Sequence, residues 1–285
     1  MKVICTVREL RNQIGKSNIG PVGFVPTMGA LHKGHLSLAE NAVTKCPVVV
    51  VSIFVNPTQF NDKNDLKNYP RTLESDLKML ERVLRQNDIV FTPDTREIYP
   101  EKDTRKFKFG NLDNVMESLH RPGHFNGVAQ VVSRLFEIVK PDMAFFGLKD
   151  FQQLAVVKEL AKQLNSKVWI VSGKIIREKD GLALSSRNRL LDPEIRKHAT
   201  VIFKTLSAAS EMIRKSDIPE IRRFVEKSIN GTKGFTIEYF EIVDDTELTP
   251  VNRKEEMAPD KHYFGCIAVK AGKIRLIDNI EIGLV

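Results

Sequence analysis

The chain has 285 residues, 42% of them hydrophobic and 28% charged, which is ordinary for a globular protein with a substantial core. Its net charge of +8 raises a nucleic-acid partner as a reading. No Lys/Arg block interleaved with aromatics accompanies that charge, so a basic enzyme handling phosphates or carboxylates is expected, with no nucleic acid bound. The longest apolar run, Val48 to Val55, is too short to span a bilayer, and Cys5, Cys46 and Cys266 show neither metal-ligand spacing nor a disulfide framework, so no membrane and a cytoplasmic location are expected.

From the start, MKVICTVREL lacks the long apolar core of a secretory signal. Short β-branched runs then predict buried strands at 23–26, 48–56, 88–93, 143–147 and 168–173. Between them the pattern predicts helices over 35–45, 72–86, 127–139 and 150–165. In the second of these, Leu73, Leu77, Leu80 and Leu84 make an amphipathic stripe. Strands alternating with helices indicate βαβ units and a parallel sheet, an α/β fold. After about residue 180 the texture changes. Helical stretches at 193–216 and 218–230 precede strand-like pieces at 235–244, 262–272 and 273–282, with turns at GTKG and KAGK. This predicts a smaller α+β C-terminal domain. The division adopted is 1–177 and 178–285.

The chemically loaded segments all follow predicted strands. In an open α/β sheet ligands bind at the carboxyl ends of strands, so these segments are expected on one edge. PTMGALHKGH follows the first strand and holds His32 and His35, three residues apart, with Gly29 and Gly34 among them. No Ser, Asp or Asn stands where the next helix should begin, so its N-terminal N–H groups are expected to lack a side-chain cap. Two imidazoles beside a positive helix end make a phosphate clamp, with glycines allowing close approach of a bulky ligand. An arbitrary H-x-x-H is more often a pair of surface histidines or part of a metal site. The strand before, the helix after, the intervening glycine and the lack of a third ligand nearby favour phosphate here.

GLKD (Gly147 to Asp150) places Lys149 before a helix, where an ammonium can reach a triphosphate; a solvated lysine is the commoner fate. Asp150 reads equally as that helix's N-cap. LSSRN (Leu184 to Asn188) gathers two hydroxyls and a guanidinium suited to phosphate, although S-S-R alone is usually loop. Lying between two domains, it is a segment able to close over phosphates. Gln59 and Gln153 suit a polar or carboxylate-bearing substrate, against a reading as surface loop or helix start. His124 and Asn126, on the Pro-Gly loop of RPGHFNGVAQVV, either line a substrate pocket or form a structural turn; the sequence admits both.

Together PTMGALHKGH, FVNPTQFN, YPRT, RPGHFNGVA, FFGLKDFQQL and DGLALSSRN closely resemble the pantoate–β-alanine ligase (pantothenate synthetase) family, in its order and roughly its spacing across residues 26 to 188. The remaining third resembles the family's C-terminal domain only in length and texture. H-x-G-H alone would indicate only the wider nucleotidyltransferase superfamily; NPTQF and KDFQQ make the resemblance far more specific. It implies a Rossmann-like nucleotidyltransferase domain binding ATP and pantoate, with the C-terminal domain closing over the site. It also implies ATP-dependent ligation of pantoate and β-alanine to pantothenate through a pantoyl adenylate, releasing AMP and pyrophosphate, with Mg²⁺ accompanying the ATP and a homodimer as the assembly.

Carried over residue by residue, the resemblance assigns His35 as the catalytic donor, with His32 and Lys149 beside it. It assigns Met28, Gly29, Ala30, Leu31, His32, Lys33, Gly34 and His35 to a loop over the nucleotide. Gly147, Leu148, Lys149, Asp150, Leu184, Ser185, Ser186 and Arg187 complete the ATP site, with the Ile176 backbone near adenine. Gln59 and Gln153 hold pantoate, and Gln59 reaches toward β-alanine. Position 148 is Leu where Glu or Gln is expected of close relatives, which a backbone contact survives and a side-chain contact does not. No metal-ligand set is legible; Asp76 in YPRTLESD is a candidate against its more ordinary reading as a solvated helix residue. The rivals are another adenylyl- or cytidylyltransferase acting on a different small substrate, with no reason to keep both glutamines, and a basic RNA-binding module, which would show steep salt dependence and no ATP turnover.

Overall fold

The computed structural model describes residues 1–17, 20–60 and 63–283. Two compact units emerge. The first comprises Met1–Phe109, His120–Leu148 and Val156–Lys174; the second comprises Gly110–Leu119, Lys149–Ala155 and the chain from Ile175 onward.

The first unit is a six-stranded sheet of β1 (Lys2–Ile4), β2 (Val22–Thr27), β3 (Val48–Ile53), β4 (Ile89–Phe91), β5 (Met143–Gly147) and β6 (Trp169–Gly173), in the order β1-β4-β3-β2-β5-β6. Every pairing is parallel. The chain steps outward from β2 through β3 and β4, then returns to the other side of β2 for β5 and β6. The sheet therefore has its topological switch between β2 and β5, where doubly wound folds open a ligand crevice at the carboxyl ends. The run VVVVSI of β3 is almost wholly buried, as a strand covered on both faces must be. Phe24, Val25, Val49, Val51 and Phe145 are all fully buried or nearly so, and Leu38, Ala39 and Ala42 of helix Lys33–Lys45 add to the core. Gly173 at the end of β6 leaves room for Leu38, whose Cδ2 would lie 2.1 Å from a Cβ placed there.

The second unit carries an antiparallel sheet of β7 (Phe235–Asp244), β8 (Tyr263–Ala271) and β9 (Ile274–Ile282). Gly272, at φ +59°, makes the tight β8–β9 turn expected of KAGK. Helices Val201–Met212 and Ile218–Asn230 contribute Ile202, Leu206, Ile221 and Val225 to a core shared with Phe240, Ile267 and Val269. The segment Gly110–Leu119 is tied to this sheet by Glu117, which accepts from Tyr239 Oη at 2.8 Å and from Arg275 at 2.6 and 2.8 Å. Burial pushes the Tyr239 phenol well above its ordinary range.

The architecture matches the α/β reading, a Rossmann-like sheet with a smaller α+β unit. Several details differ, among them short helices at Lys63–Asn68, Thr95–Ile98 and Glu117–His120 that no period announced. β1 and helix Val7–Lys16 are additional: KVI is too short and exposed to show a period, and its pairing with β4 comes from tertiary structure. The 72–86 helix contracts to Leu73–Leu80. The 193–216 helix is two, Pro193–His198 and Val201–Met212, because the ladder tightens to i−3 bonds at Ala199→Arg196 and Ile202→Ala199.

Candidate active site

The loop after β2 leads into helix Lys33–Lys45, which begins two residues earlier than the apolar pattern indicates. The expectation of an uncapped helix start is corrected. His32 is the N-cap: its Nδ1 accepts from Gly34 N at 3.2 Å, and His35 Nδ1 accepts from His32 N at 3.3 Å. The pair forms a capping box in which imidazoles replace the usual hydroxyl and carboxylate. Propensity lists omit histidine as a cap, but a neutral ring's Nδ1 lone pair serves the same purpose. The rings lie 4.1 Å apart between centroids, tilted by 31°. A Cβ at Gly34 would sit 2.9 Å from His32 ring atoms, so glycine at this position lets the ring fold over its own helix start.

These caps fix chemistry as well as conformation. Backbone N–H groups donate to both Nδ1 atoms, so each neutral ring carries its proton on Nε2. The amides of Gly34, His35 and Leu36 are already engaged, the last two with the His32 carbonyl at 2.9 and 3.2 Å. The motif thereby places two imidazoles, each protonated on Nε2 when neutral, at the positive end of a helix.

The preceding turn is held from beneath. Gly29 (φ +79°) and Ala30 (φ +48°) both adopt left-handed backbone, unfavourable for alanine. Asp76 secures it: Oδ2 accepts from Ala30 N at 2.9 Å, and Oδ1 accepts from Leu31 N at 2.8 Å and Thr72 Oγ1 at 3.1 Å. Asp76 is 1% exposed, so its reading as a solvated helix residue is overturned, and both its oxygens serve the loop. Ala30 and Leu31 are themselves fully buried and shape the loop. Thr27 Oγ1 accepts from Gly29 N and donates to the Ser52 carbonyl at 2.7 Å, tying the turn to β3.

Gln59 lies on the short 3₁₀ turn Pro57–Gln59, buried, with Nε2 2.9 Å from Met28 Sδ. The first unit thus brings Gln59 to the Met28–His35 loop. Asn56 braces the turn by donating from Nδ2 to Gln59 Oε1 and the Gly127 carbonyl. Gly127 allows helix His124–Val139 to approach, since a Cβ there would lie 2.4 Å from the Thr58 carbonyl oxygen. His124 adds a third brace. Arg121 can only donate, and its Nη1 lies 3.0 Å from His124 Nε2; His124 Nδ1–H therefore donates to the Gln59 carbonyl at 2.8 Å. Asn126 accepts from Phe107 N at 2.9 Å, a structural bond. Of the two readings left open for RPGHFNG, these contacts supply the structural one.

At the end of β5, Gly147 pairs with Gly173 in register, and Leu148 N donates to the Gly173 carbonyl at 2.8 Å. The backbone at 148 is thus fixed without help from its side chain. Gly147 has open space where a Cβ would go.

The second unit holds Lys149, Asp150, Gln153, Ile176 and Leu184–Arg187. Lys149 Nζ lies 3.6 Å from Asp150 Oδ1, and its side chain is 18% exposed. The Asp150 carbonyl accepts from Leu154 N, opening helix Phe151–Gln163. The adjacent glutamines divide. Gln152 is buried, donating to Leu112 and Val115 carbonyls and accepting from Glu117 N, whereas Gln153 is half-buried. Ile176 accepts from Leu184 N at 2.9 Å, closing a hairpin around Arg177 and Ala183. Ser185 caps the turn Ser186–Leu190 by accepting from Arg187 N at 3.3 Å, which leaves its hydroxyl able to donate. Asn188 donates to Glu178 Oε1 and the Ala183 carbonyl.

The sequence reading missed Asn56, Gln152, Arg177, Asp278 and Asn279. Asn-Pro before a turn was the available signal for Asn56, and adjacent Asp-Asn inside the apolar strand KIRLIDNIEI was the signal for the last pair.

The chain matches the Pantoate-beta-alanine ligase family model over residues 2–281. The pantothenate synthetase of Phocaeicola vulgatus is 50% identical over 284 residues, 99% of each chain. That of Bacteroides fragilis is 49% identical over 283 residues, again 99% of each. Among solved structures, pantothenate synthetase from Thermus thermophilus aligns with a TM-score of 0.91 at 41% identity, covering both chains fully. Pantoate-beta-alanine ligase from Francisella tularensis, complexed with beta-gamma ATP and beta-alanine, aligns with a TM-score of 0.76 at 32% identity, covering 100% of this chain and 99% of that one.

Proposed function

The chain belongs to the pantoate–β-alanine ligase family, and on that premise we propose that it joins pantoate to β-alanine at the expense of ATP, forming pantothenate through a pantoyl adenylate. In the first step a pantoate carboxylate oxygen attacks the α-phosphorus of ATP, and the bond to the β-phosphate oxygen breaks, releasing pyrophosphate. In the second, the β-alanine amine attacks the acyl carbon, loses a proton, and expels AMP.

The observation that carries this reading is the capping box. A carboxylate is already ionised at neutral pH, so the first step needs no strong base. It needs positioning and donors for the charge that grows on the departing pyrophosphate. His32 and His35, with Nδ1 committed to the caps, present Nε2–H for that purpose, and His35 is the donor whose contact strengthens in the transition state. Met28 to His35 contact the nucleotide, with Asp76 keeping the loop in shape. Lys149 and Arg187 place point charges on the phosphates, Ser185 and Ser186 donate hydroxyls, and Gly147, Leu148, Asp150, Leu184 and the Ile176 backbone complete the nucleotide contacts. Gln59 and Gln153 hold pantoate, and Gln59 also meets β-alanine.

Magnesium belongs to the proposal as the partner of ATP. Among the described residues no cluster of three or more His, Cys, Asp or Glu could hold an ion. In the proposal Mg²⁺ arrives on the phosphate oxygens of ATP and keeps waters in its shell, as this small, hard cation prefers. Bound so, it would neutralise phosphate charge. The division at 177/178, a homodimer and a cytoplasmic location are part of the same reading. No helix among the described residues is long and apolar enough to cross a membrane.

The test is to incubate the protein with ATP, Mg²⁺ and pantoate, with and without β-alanine, and identify AMP-linked products by mass. Pantoyl adenylate without β-alanine, and pantothenate plus AMP with it, are expected. Pyrophosphate release with other carboxylic acids but not with pantoate would overturn the assignment.

A further inference from the structure

Within the second unit, three chain segments far apart in sequence converge on β9. Arg177 donates to Asp278 through two bonds, Nη1 to Oδ2 at 2.6 Å and Nη2 to Oδ1 at 3.0 Å. The same guanidinium reaches the Asn279 carbonyl at 3.3 Å and the Gly181 carbonyl at 3.2 Å, and stacks 4.0 Å from the Phe203 ring centroid. Asn279 N donates to Asp278 Oδ1 at 2.8 Å, and its side-chain Nδ2 donates to the Lys149 carbonyl at 3.1 Å. Asp278 is 4% exposed and Asn279 1%.

We propose that Asp278 and Asn279 are positioning residues for nucleotide handling: through Arg177 and the Lys149 carbonyl they hold Lys149, Ile176 and the hairpin leading to Leu184–Arg187 in one register. This rests on the reading that those segments contact ATP. A lysine ammonium rides on a flexible four-carbon stem, so its reach depends on where its backbone is anchored. Asn279 anchors the peptide that immediately follows the Lys149 side chain. Arg177 stands between Ile176 and the Ala183 bridge partner, so fixing its guanidinium fixes both arms of the hairpin. Burial pushes the Asp278 carboxyl up, while Arg177 and, more weakly, Lys149 pull it down; the lysine's charge is thus felt at β9. A buried ion pair of this kind adds little net stability compared with apolar residues of the same shape, so stability alone is a poor reason for it.

The test compares Asn279→Ala with Ile229→Ala, a core truncation in the same unit on helix Ile218–Asn230, which packs against β7. Arg177→Lys, which keeps charge but loses the two-pronged geometry, serves as a milder second variant should Asn279→Ala not fold. Thermal melts establish temperatures at which each protein is folded. Steady-state kinetics with varied ATP, and single turnovers from preformed pantoyl adenylate, are then measured with calorimetric ATP binding. Asn279→Ala should lose on the order of 10²-fold in kcat/KM for ATP. Turnover from preformed adenylate should change less than about threefold, and Arg177→Lys should show the same split more weakly. Ile229→Ala should melt earlier with an unchanged KM for ATP. If the wild type turns over ATP and the variants keep its kcat/KM for ATP, or lose both half-reactions equally, the positioning role is overturned while the proposed function stands. If the wild type neither binds nor turns over ATP, the proposed function and this inference fall together.

Discussion

In the larger unit, the Met28–His35 loop is held by Asp76, 46 positions from Ala30, through bonds to backbone amides. In the smaller unit, the Lys149 carbonyl is held directly by the Asn279 side chain, 130 positions away, and Asn279 is in turn braced by Asp278 and Arg177. Both arrangements bury a carboxylate, and both satisfy it fully enough to avoid the cost of an unpaired buried charge. They differ in how the held group depends on its support. The loop also holds itself: its histidines cap each other, and Gly34 leaves space for the His32 ring. The Lys149 ammonium has a local contact in Asp150, 3.6 Å away, but its carbonyl is held from β9. Substitutions are better tolerated where a motif braces itself than where a distant strand does the bracing.

The comparison can be broken most forcefully at the lysine. Lys149→Ala should slow adenylate formation by roughly 10²-fold or more while the fold survives, because one charged contact to the transition state is worth a few kcal/mol. A wild-type rate of pyrophosphate release would remove Lys149 from the phosphate site.

At the loop the sharper probe is the brace. Asp76→Ala strips the acceptor from two buried amides and leaves Ala30 in left-handed backbone unsupported. Urea titration should show a loss of about 3 kcal/mol. Adenylation should fall by roughly tenfold through misplacement. Full stability in the variant would show that the turn holds its shape without the carboxylate.

The two glutamines sharpen the comparison further, one in each unit. Gln153→Ala should raise the KM for pantoate about tenfold or more with ATP binding unchanged, since a site built to hydrogen-bond a substrate discriminates by that bond. Equal losses for both ligands, measured by calorimetry with each alone, would move Gln153 out of the acid pocket.

The smallest effect concerns acid. In the larger unit the Arg105 guanidinium holds the Asp103 carboxyl below the usual carboxylate range. A depressed carboxylate stabilises the fold above its unfolded value, and that contribution fades as pH falls through the folded value. Asp103→Asn should therefore lower stability at pH 7 by no more than about 1 kcal/mol and lose less than the wild type between about pH 5 and pH 2, read by thermal melts. A variant whose acid profile parallels the wild type would remove Asp103 from the acid response.

This contrast also explains what could be read in advance. Strand and helix alternation was legible because β3 carries an unbroken β-branched run and the helices carry apolar stripes, whereas β1 gains its conformation only by pairing with β4. The loop motif was legible because its chemistry is contiguous. Its cap was not, because imidazole is an uncommon cap and its role depends on which nitrogen holds the proton. Asp76 looked like any helical acid until the fold delivered it to Ala30 and Leu31. Gln152 and Gln153 are indistinguishable in sequence, yet one fastens Glu117 and its neighbours while the other stays half-buried. Asn279 stood out only as half of an Asp-Asn pair inside an apolar strand, and its target, the Lys149 carbonyl, was not legible because it lies in another segment.

The central claim is that the two histidines serve the departure of pyrophosphate and nothing later. The most direct measurement is single-turnover kinetics of His35→Ala, started once from ATP and pantoate and once from preformed pantoyl adenylate with β-alanine. Adenylate formation should fall by roughly 10²-fold or more, with ATP binding weakened far less, while aminolysis stays near the wild-type rate. Equal slowing of both half-reactions would contradict a dedicated phosphate clamp and make general misplacement of the site the better account.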